Sequence, residues 1–339
     1  MTGRKLVGLV FGLLCVFLVG CSSVGVTTSS VFNPASPNAR ATVQLFNFVY
    51  IIEAVFFIIV EVGLVYAMLH FSRNRGKGLP KQVEGNNFLE ITWTVIPAIF
   101  LGVIFFVSLS TLNTVTSTPP QSSLTGAPLQ VKVIGHQWFW EFDYPAEKII
   151  TANELVVPVG TLVNLDVQSI DVIHSYWVPE LGGKIDAIPG VTNQIHFQAD
   201  RTGTFVGQCA EFCGADHAQM RMTVIVKTPA DYAAWVKGQQ APVPALSGDA
   251  DSGEQLFLEM QCFACHTVNG TKAQGKVGPD LTHFASRSTF AGGVLANTAD
   301  NLTKWLTDPQ AVKPGNLMPN LGLGPGGIKL LSAFLYSLK

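Results

Sequence analysis

Four soft or nitrogenous side chains fall in one short stretch of this chain: Cys209, Cys213, His217 and Met220. A second imidazole, His174, comes from a separate loop upstream. Sulfur combined with imidazole selects copper or zinc over hard cations. Zinc is satisfied by two Cys and two His in a tetrahedron and leaves the thioether without a use. Two cysteines, two histidines and a methionine suit a pair of copper ions with each thiolate bridging both. An electron shared across such a pair changes each bond little, so it moves at small reorganisation cost. On spacing alone two other readings stand beside the copper pair: a zinc site, and a disulfide between the two cysteines if the segment is exported.

A second constellation lies near the end of the chain, Cys262-Phe263-Ala264-Cys265-His266. The C-x-x-C-H pattern attaches a c-type haem: two thiols reach the two vinyl groups, and the next residue turns its imidazole to the iron. A C-x-x-C pair alone also serves thiol redox chemistry. The motif closes an amphipathic helical stretch, Gly253 to Gln261, with apolar Leu256, Phe257 and Met260. Further on, Asn316-Leu317-Met318-Pro319 offers a methionine in a loop before a closing helix, Ile328 to Leu338. Met318 is the candidate second axial ligand, against the plainer reading of a packing methionine. A His/Met pair gives haem a relatively high potential. His136, His196 and His283 are read as structural.

Something must carry these sites, and the composition points to a membrane. Only 13% of the 339 residues are charged, about half the share of an ordinary soluble protein, and the mean hydropathy is positive. A net charge of -2 makes a nucleic-acid partner a poor fit. Arg4-Lys5 followed by the apolar run Leu6 to Val19 has the form of a secretory signal. Its end, Leu18-Val19-Gly20-Cys21, resembles the lipobox of bacterial lipoproteins, which implies cleavage before Cys21 and acylation of its thiol. An uncleaved anchor with an incidental cysteine is the alternative.

Two apolar segments follow, about 43–71 and 88–112, each reaching the ~20 residues a membrane-crossing helix needs. Arg73, Arg75, Lys77 and Lys81 against Glu84 place the short loop between them in the cytoplasm. Everything after residue 113 is then outside, in agreement with an export signal. Glu53 and Glu61, about 80° apart around a helix, predict a protein partner for the first span, because carboxyls avoid lipid.

From Leu129 to Val226 short apolar runs (Val131–Ile134, Leu155–Val157, Leu162–Val167, Thr223–Val226) alternate with Pro, Gly and Asn turns. This predicts an antiparallel all-β sandwich or barrel. Residues 128–230 carry 6 basic and 11 acidic side chains, an acidic surface that suits either solubility or a basic redox partner. A linker rich in Pro, Ala, Gly and Gln (238–249) leads to the last module. The expected organisation is a signal peptide (1–20), an exported segment (21–42), a transmembrane hairpin (43–112), an all-β cupredoxin-like domain (128–230), the linker, and an all-α cytochrome module (250–339).

Cys-x-Glu-x-Cys-Gly-x-x-His-x-x-Met, as it stands from Cys209 to Met220, resembles the signature of the CuA domain of cytochrome c oxidase subunit II. His174-Ser175-Tyr176-Trp177-Val178-Pro179 is similar to that family's first copper-ligand loop. The resemblance implies copper ligation by His174, Cys209, Cys213, His217, Met220 and the backbone carbonyl of Glu211. It also implies that the Glu211 side chain faces a magnesium site at the border with subunit I. Gly135-His136-Gln137-Trp138-Phe139-Trp140 resembles the aromatic segment over the copper, with Trp138 at the family's electron-entry position and Trp140 a core residue. Lys184-Ile185-Asp186-Ala187-Ile188-Pro189-Gly190 places Asp186 near the magnesium and proton-exit region. There the family's usual arginine is replaced by Val191. Phe88 to Pro97 opens the second span as in the family, with Glu90 at the entrance of a proton channel. Gly278-Pro279-Asp280-Leu281 matches small cytochromes c, whose proline supports the haem histidine.

The whole is similar to the caa-type arrangement, in which cytochrome c is fused to subunit II. This implies electron entry at haem c, transfer to CuA, and delivery to subunit I, which reduces oxygen and pumps protons; subunit III and an upstream cytochrome or quinol:cytochrome c reductase are the further partners implied. The implied location is the bacterial inner membrane with both cofactor modules on the outer face. A quinol oxidase subunit II lacks the copper cysteines present here. A copper-dependent nitric oxide reductase subunit and a membrane-tethered electron shuttle are the other classes this sequence suits. Cysteine accounting agrees with the metal readings: Cys15 leaves with the signal, Cys21 is acylated, and the remaining four hold copper and haem.

Overall fold

The computed structural model describes residues 29–73, 82, 84–117 and 126–339. The expected signal peptide, Cys21 and the basic residues Arg75, Lys77 and Lys81 lie outside the described residues.

Among the described residues, helix α1 (Pro37–Arg73) and helix α2 (Asn87–Thr116) are the two helices long and apolar enough to cross a membrane. A helix satisfies every backbone donor and acceptor internally, which hydrocarbon demands. Asn86 caps α2, its side-chain oxygen accepting from the amides of Phe88 and Leu89 at 3.1 and 3.2 Å. The two helices touch through Phe56 and Phe100, rings edge to face at 5.2 Å. Glu53 and Glu61 are exposed on α1.

At 37 residues, α1 is about 55 Å long and overshoots a hydrocarbon core of about 30 Å. Its first turn packs instead on the next module. Ser36 Oγ donates to the Leu181 carbonyl at 2.7 Å, Asn38 Nδ2 donates to the His196 carbonyl at 3.1 Å, and Arg40 pairs with Asp200.

That module is a sandwich of two five-stranded sheets. One has the order β3 (Ile149–Ala152), β2 (Phe139–Tyr144), β1 (Leu129–His136), β5 (Leu162–Ser169), β8 (Asn193–Gln198). The other runs β4 (Glu154–Pro158), β10 (Arg221–Lys227), β9 (Gly203–Cys209), β6 (His174–Trp177), β7 (Lys184–Ala187). Alternate residues of β1 and β5 point inward, as a sheet with one wet face requires. Trp140, Phe142, Tyr144, Leu155, Leu165 and Met222 are fully buried between the sheets. The expected antiparallel pattern needs correction: β1 pairs β5 in parallel, and β10 pairs β4 in parallel. Chain returns long enough to bring two strands side by side in one direction leave no trace in local alternation.

Helix α3 (Pro229–Gln239) follows, capped by Thr228, and sets Trp235 against Tyr144 with ring centroids 5.3 Å apart and planes tilted by 57°. It fills the gap between the expected sandwich (128–230) and linker (238–249), to which no element is assigned from sequence. The last module is mostly helical: α4 (Asp249–Glu259), a two-stranded ribbon of β11 (Thr289–Phe290) and β12 (Leu295–Ala296), α5 (Ala299–Thr307), α6 (Pro309–Val312) and α7 (Pro325–Ser337). Helices α4 and α7 cross at Gly253, where a Cβ would strike the Leu330 carbonyl, and Phe257 meets Phe334 edge to face at 5.4 Å.

Candidate metal centres

The sandwich gathers the first constellation at one end. His174 opens β6, Cys209 closes β9, and Cys213, His217 and Met220 lie on the connection to β10. The two thiol sulfurs are 3.8 Å apart. Cys209 Sγ lies 3.9 Å from His174 Nδ1 and 3.3 Å from the Glu211 carbonyl oxygen. Cys213 Sγ lies 3.6 Å from His217 Nδ1 and 3.8 Å from Met220 Sδ. Bonds of about 2.0–2.3 Å from one metal to N and S put neighbouring ligand atoms about 3.3–3.8 Å apart. The donor set therefore fits metal, and each sulfur has its own imidazole, as two ions require. A disulfide needs sulfurs about 2.05 Å apart, and both cysteines are free.

Burial and second contacts prepare the donors. Burial works against a charged His174 ring, but Asp171 and Cys209 outweigh it and raise the ring above its ordinary value. Asp171 Oδ1 lies 2.8 Å from His174 Nε2, and a carboxylate can only accept, so Nε2 carries the proton and Nδ1 faces the sulfur. Cys213 hydrogen-bonds Cys209 and, against the cost of burial, holds it in the thiolate range, with His174 adding to the effect. Losing the second proton is disfavoured by that same neighbour. Positive metal charge removes this opposition.

Above the cysteines sits Trp138. Its Nε1 donates to the Cys213 carbonyl at 3.0 Å, and Gln137 Nε2 donates to the same oxygen at 2.7 Å. Gly214 (φ +114°) makes room, since a Cβ there would lie 3.0 Å from the indole. Gly135 likewise admits His174, whose ring would be 2.7 Å from a Cβ.

The second constellation forms a cradle in the last module. Cys262, Cys265 and His266 follow α4 directly, and both thiols are free and half-buried. His266 Nδ1 lies 2.8 Å from the Pro279 carbonyl, so Nδ1 donates and Nε2 is left to bind. Its surroundings push the ring below its ordinary value, chiefly by burial, toward the neutral form that coordinates iron. Gly278 and Gly275 are cut away where a Cβ would meet the His266 ring at 2.6 Å and Ala264 at 2.5 Å. Buried Arg287 leaves its Nε without a partner, a polar atom facing unfilled demand. Met318 packs on the same apolar cluster as Cys262. Its loop is tied by Gln310 Nε2 donating to the Met318 carbonyl at 2.9 Å and by the Met318 amide donating to Asn316 Oδ1 at 2.8 Å. Cysteines presented with a proline-braced histidine fit a covalent haem.

Three family models match in succession: the transmembrane domain of cytochrome c oxidase subunit II over residues 27–111, the periplasmic domain of the same subunit over 146–228, and cytochrome c over 250–339. Cytochrome c oxidase subunit 2 of Alkalihalophilus pseudofirmus is 37% identical over 329 residues, covering 96% of this chain and 95% of that one. The chain belongs to the cytochrome c oxidase subunit 2 family. The subunit 2 of Bacillus subtilis is 36% identical, over 91% of this chain and 90% of its own. The solved periplasmic domain of subunit II from Bradyrhizobium japonicum is 38% identical and covers 34% of this chain and 96% of its own, with a TM-score of 0.33. This subunit 2 carries copper in its sandwich and covalent haem c in its last module, and partners subunit I in the membrane with both modules facing outward.

The other sequence-derived positions of subunit 2 are spread out. Glu90 is exposed in the first turn of α2. Glu211 is exposed with its carbonyl turned to Cys209. Asp186 lies opposite Ser175 in the β6–β7 ladder, and Val191 is exposed on the following turn. His136 is buried against Phe139 with rings 4.2 Å apart, and His283 Nδ1 reaches the Lys339 carbonyl, so both serve structure. Sequence reasoning missed Asp171, Gln137, Asp216 and Lys313. The only local signal was Asp171 three residues before His174.

Proposed function

We propose that this subunit 2 is the electron-entry arm of a proton-pumping oxidase. Haem c is held by Cys262, Cys265, His266 and Met318. The copper pair is held by His174, Cys209, Cys213, His217, Met220 and the Glu211 carbonyl. When bound, these groups supply an electron relay toward subunit I. The protein's own part is to hold donors at fixed spacing, exclude water and fix the ring tautomers. Trp138, bonded through Nε1 to the Cys213 carbonyl, takes the entry position. Glu211 serves a magnesium site shared with subunit I, Glu90 guards a proton-channel mouth, and Cys21 is acylated. Subunit III and an upstream cytochrome or quinol:cytochrome c reductase complete the chain of partners. The division into hairpin, sandwich, linker and haem module is part of the same reading.

The carrying observation is the pair of sulfurs 3.8 Å apart, each with its own imidazole at 3.9 and 3.6 Å. Exposed Ile170, Val172, Ile173 and Phe212 flank these copper loops. An apolar rim of that kind suits burial against subunit I.

The test is an electron paramagnetic resonance spectrum of the purified, copper- and haem-loaded complex. Hyperfine splitting shared equally by two copper nuclei, and lost in Cys213→Ser, is the expected result. A single-copper pattern would overturn the binuclear assignment.

A further inference from the structure

The haem module does not hang free from its linker; it buries a charged side chain in the copper module. Lys313 follows α6 and is 3% exposed. Its Nζ donates to the Trp138 carbonyl at 2.9 Å and lies 3.9 Å from Asp216 Oδ2. Asp216 is itself 2% exposed, between Cys213 and His217, and that oxygen has no hydrogen-bond partner of its own. Burial pulls the Lys313 ammonium down to about 8, while Asp216 and then Cys213 work against the shift. Burying such a charge is unfavourable without a partner held in place.

The seat around it is cut for close approach. Gly292 (φ +73°) has no room for a Cβ, which would meet Lys313 Nζ at 2.8 Å and the Gln219 and Trp138 carbonyls at 2.9 Å. The Arg221 amide donates to the Gly292 carbonyl at 2.8 Å. At the far side of the contact, Glu154 of β4 accepts from the Ser288 and Thr289 amides at 2.8 and 3.0 Å. From Lys313 the connection runs onward to the haem side. Asn316 Nδ2 donates to the Lys313 carbonyl at 2.6 Å, and Asn316 Oδ1 accepts from the Met318 amide at 2.8 Å.

We propose that Lys313 is a positioning residue: set between the Trp138 carbonyl and the Asp216 carboxylate, it fixes the loop carrying Met318 onto the lid of the copper site. The haem module then works from one docked orientation instead of searching as a tethered carrier. The inference rests on reading Met318 as a haem ligand and Trp138 as the entry position. Failure of that reading is separately visible, as an unmutated complex whose ferric haem spectrum lacks methionine ligation.

The experiment compares the assembled, copper- and haem-loaded complex with its K313M variant, which keeps the stem and loses the charge. K329M, altering an exposed lysine paired with Asp249 at 2.7 Å, is the control. Amide hydrogen exchange at Arg221, Ser288 and Thr289 reports docking without reference to turnover. The expected result is exchange about tenfold faster or more at these amides in K313M, no change at Val224, opposite Phe205 in the β10–β9 ladder, and no change in K329M. Haem-to-copper electron transfer after flash reduction slows by a similar factor while both metal spectra stay as in the parent. If K313M fails to assemble, K313A takes its place with the same readouts. Parental exchange at Arg221, Ser288 and Thr289 in the charge-free variant overturns the proposal, whatever happens to electron transfer.

Discussion

Nε2 of His174 stands 2.8 Å from Oδ1 of Asp171, and this contact decides which face of the imidazole meets the Cys209 sulfur. The carboxylate is itself held by the Gln137 amide at 2.6 Å and the Val172 amide at 2.6 Å. Asp171→Asn keeps the shape and loses the obligatory acceptor. Copper affinity is expected to fall about 10–100-fold, read by competition with a chelator of known strength. An affinity within twofold of the parent would remove Asp171 from the orienting role.

On the haem side the corresponding constraint is steric. A Cβ at position 278 would lie 2.6 Å from the His266 ring, which is pinned by the Pro279 carbonyl at 2.8 Å. Gly278→Ala should leave haem attached through Cys262 and Cys265 but disturb axial ligation, and cost about 1–3 kcal/mol of module stability. A parental low-spin spectrum and unfolding midpoint would show that the ring has room to move.

The crossing of α4 and α7 sets two effects against each other at Gly253. Gly→Ala inside a helix is worth roughly 0.5–1 kcal/mol of stabilisation. The new methyl would press on the Leu330 carbonyl across the crossing, and overpacking typically costs about 1–3 kcal/mol. Gly253→Ala is therefore expected to lower the midpoint of the haem module's unfolding. A raised midpoint would mean that the helices separate freely.

His196 provides a pH test away from the metals. It lies in β8 beneath Asn38 of α1, its Nε2 has no partner, and burial pulls its ring below the ordinary value although the Ser117 backbone works the other way. The folded state thus prefers the neutral ring. Its contribution is whole above the unfolded value of about 6.5 and is lost as pH falls below that value toward the folded pKa, where the unfolded chain binds the extra proton. In His196→Gln the thermal midpoint of the full chain should fall less steeply over this acid range than in the parent. Identical slopes would exclude the ring as a contributor.

Much of this architecture is written locally and can be read from the chain. Candidate ligand side chains at Cys209, Cys213, His217 and Met220 are named by residue type, and the two spans by unbroken apolar length. His174, from another loop, joins them only through the similarity of its flanking residues. What escapes such reading is set by juxtaposition. The parallel pairing of β1 with β5 joins segments separated in sequence by three strands, β2, β3 and β4. Lys313 looks like any surface lysine until α6 delivers it to Asp216. Glu154 likewise acquires its role only when Ser288 and Thr289 arrive. Helix α3 carries a local start signal that sequence reasoning left unused: Thr228 as cap, Pro229 in the first turn and Asp231 behind it.

The parallel ladder from β1 to β5 has a consequence for maturation. It runs both strands toward the same pole, so the segment bearing Trp138 and the loop bearing His174 emerge there together, while β9 brings up Cys209 from the facing sheet. No contiguous stretch of nascent chain holds the full donor set, and pairings this far apart in sequence close late. The side chains placed to hold copper all rise from the sheet of β6, β9 and β10, so that sheet alone assembles the donors, and the facing sheet adds the indole that covers them.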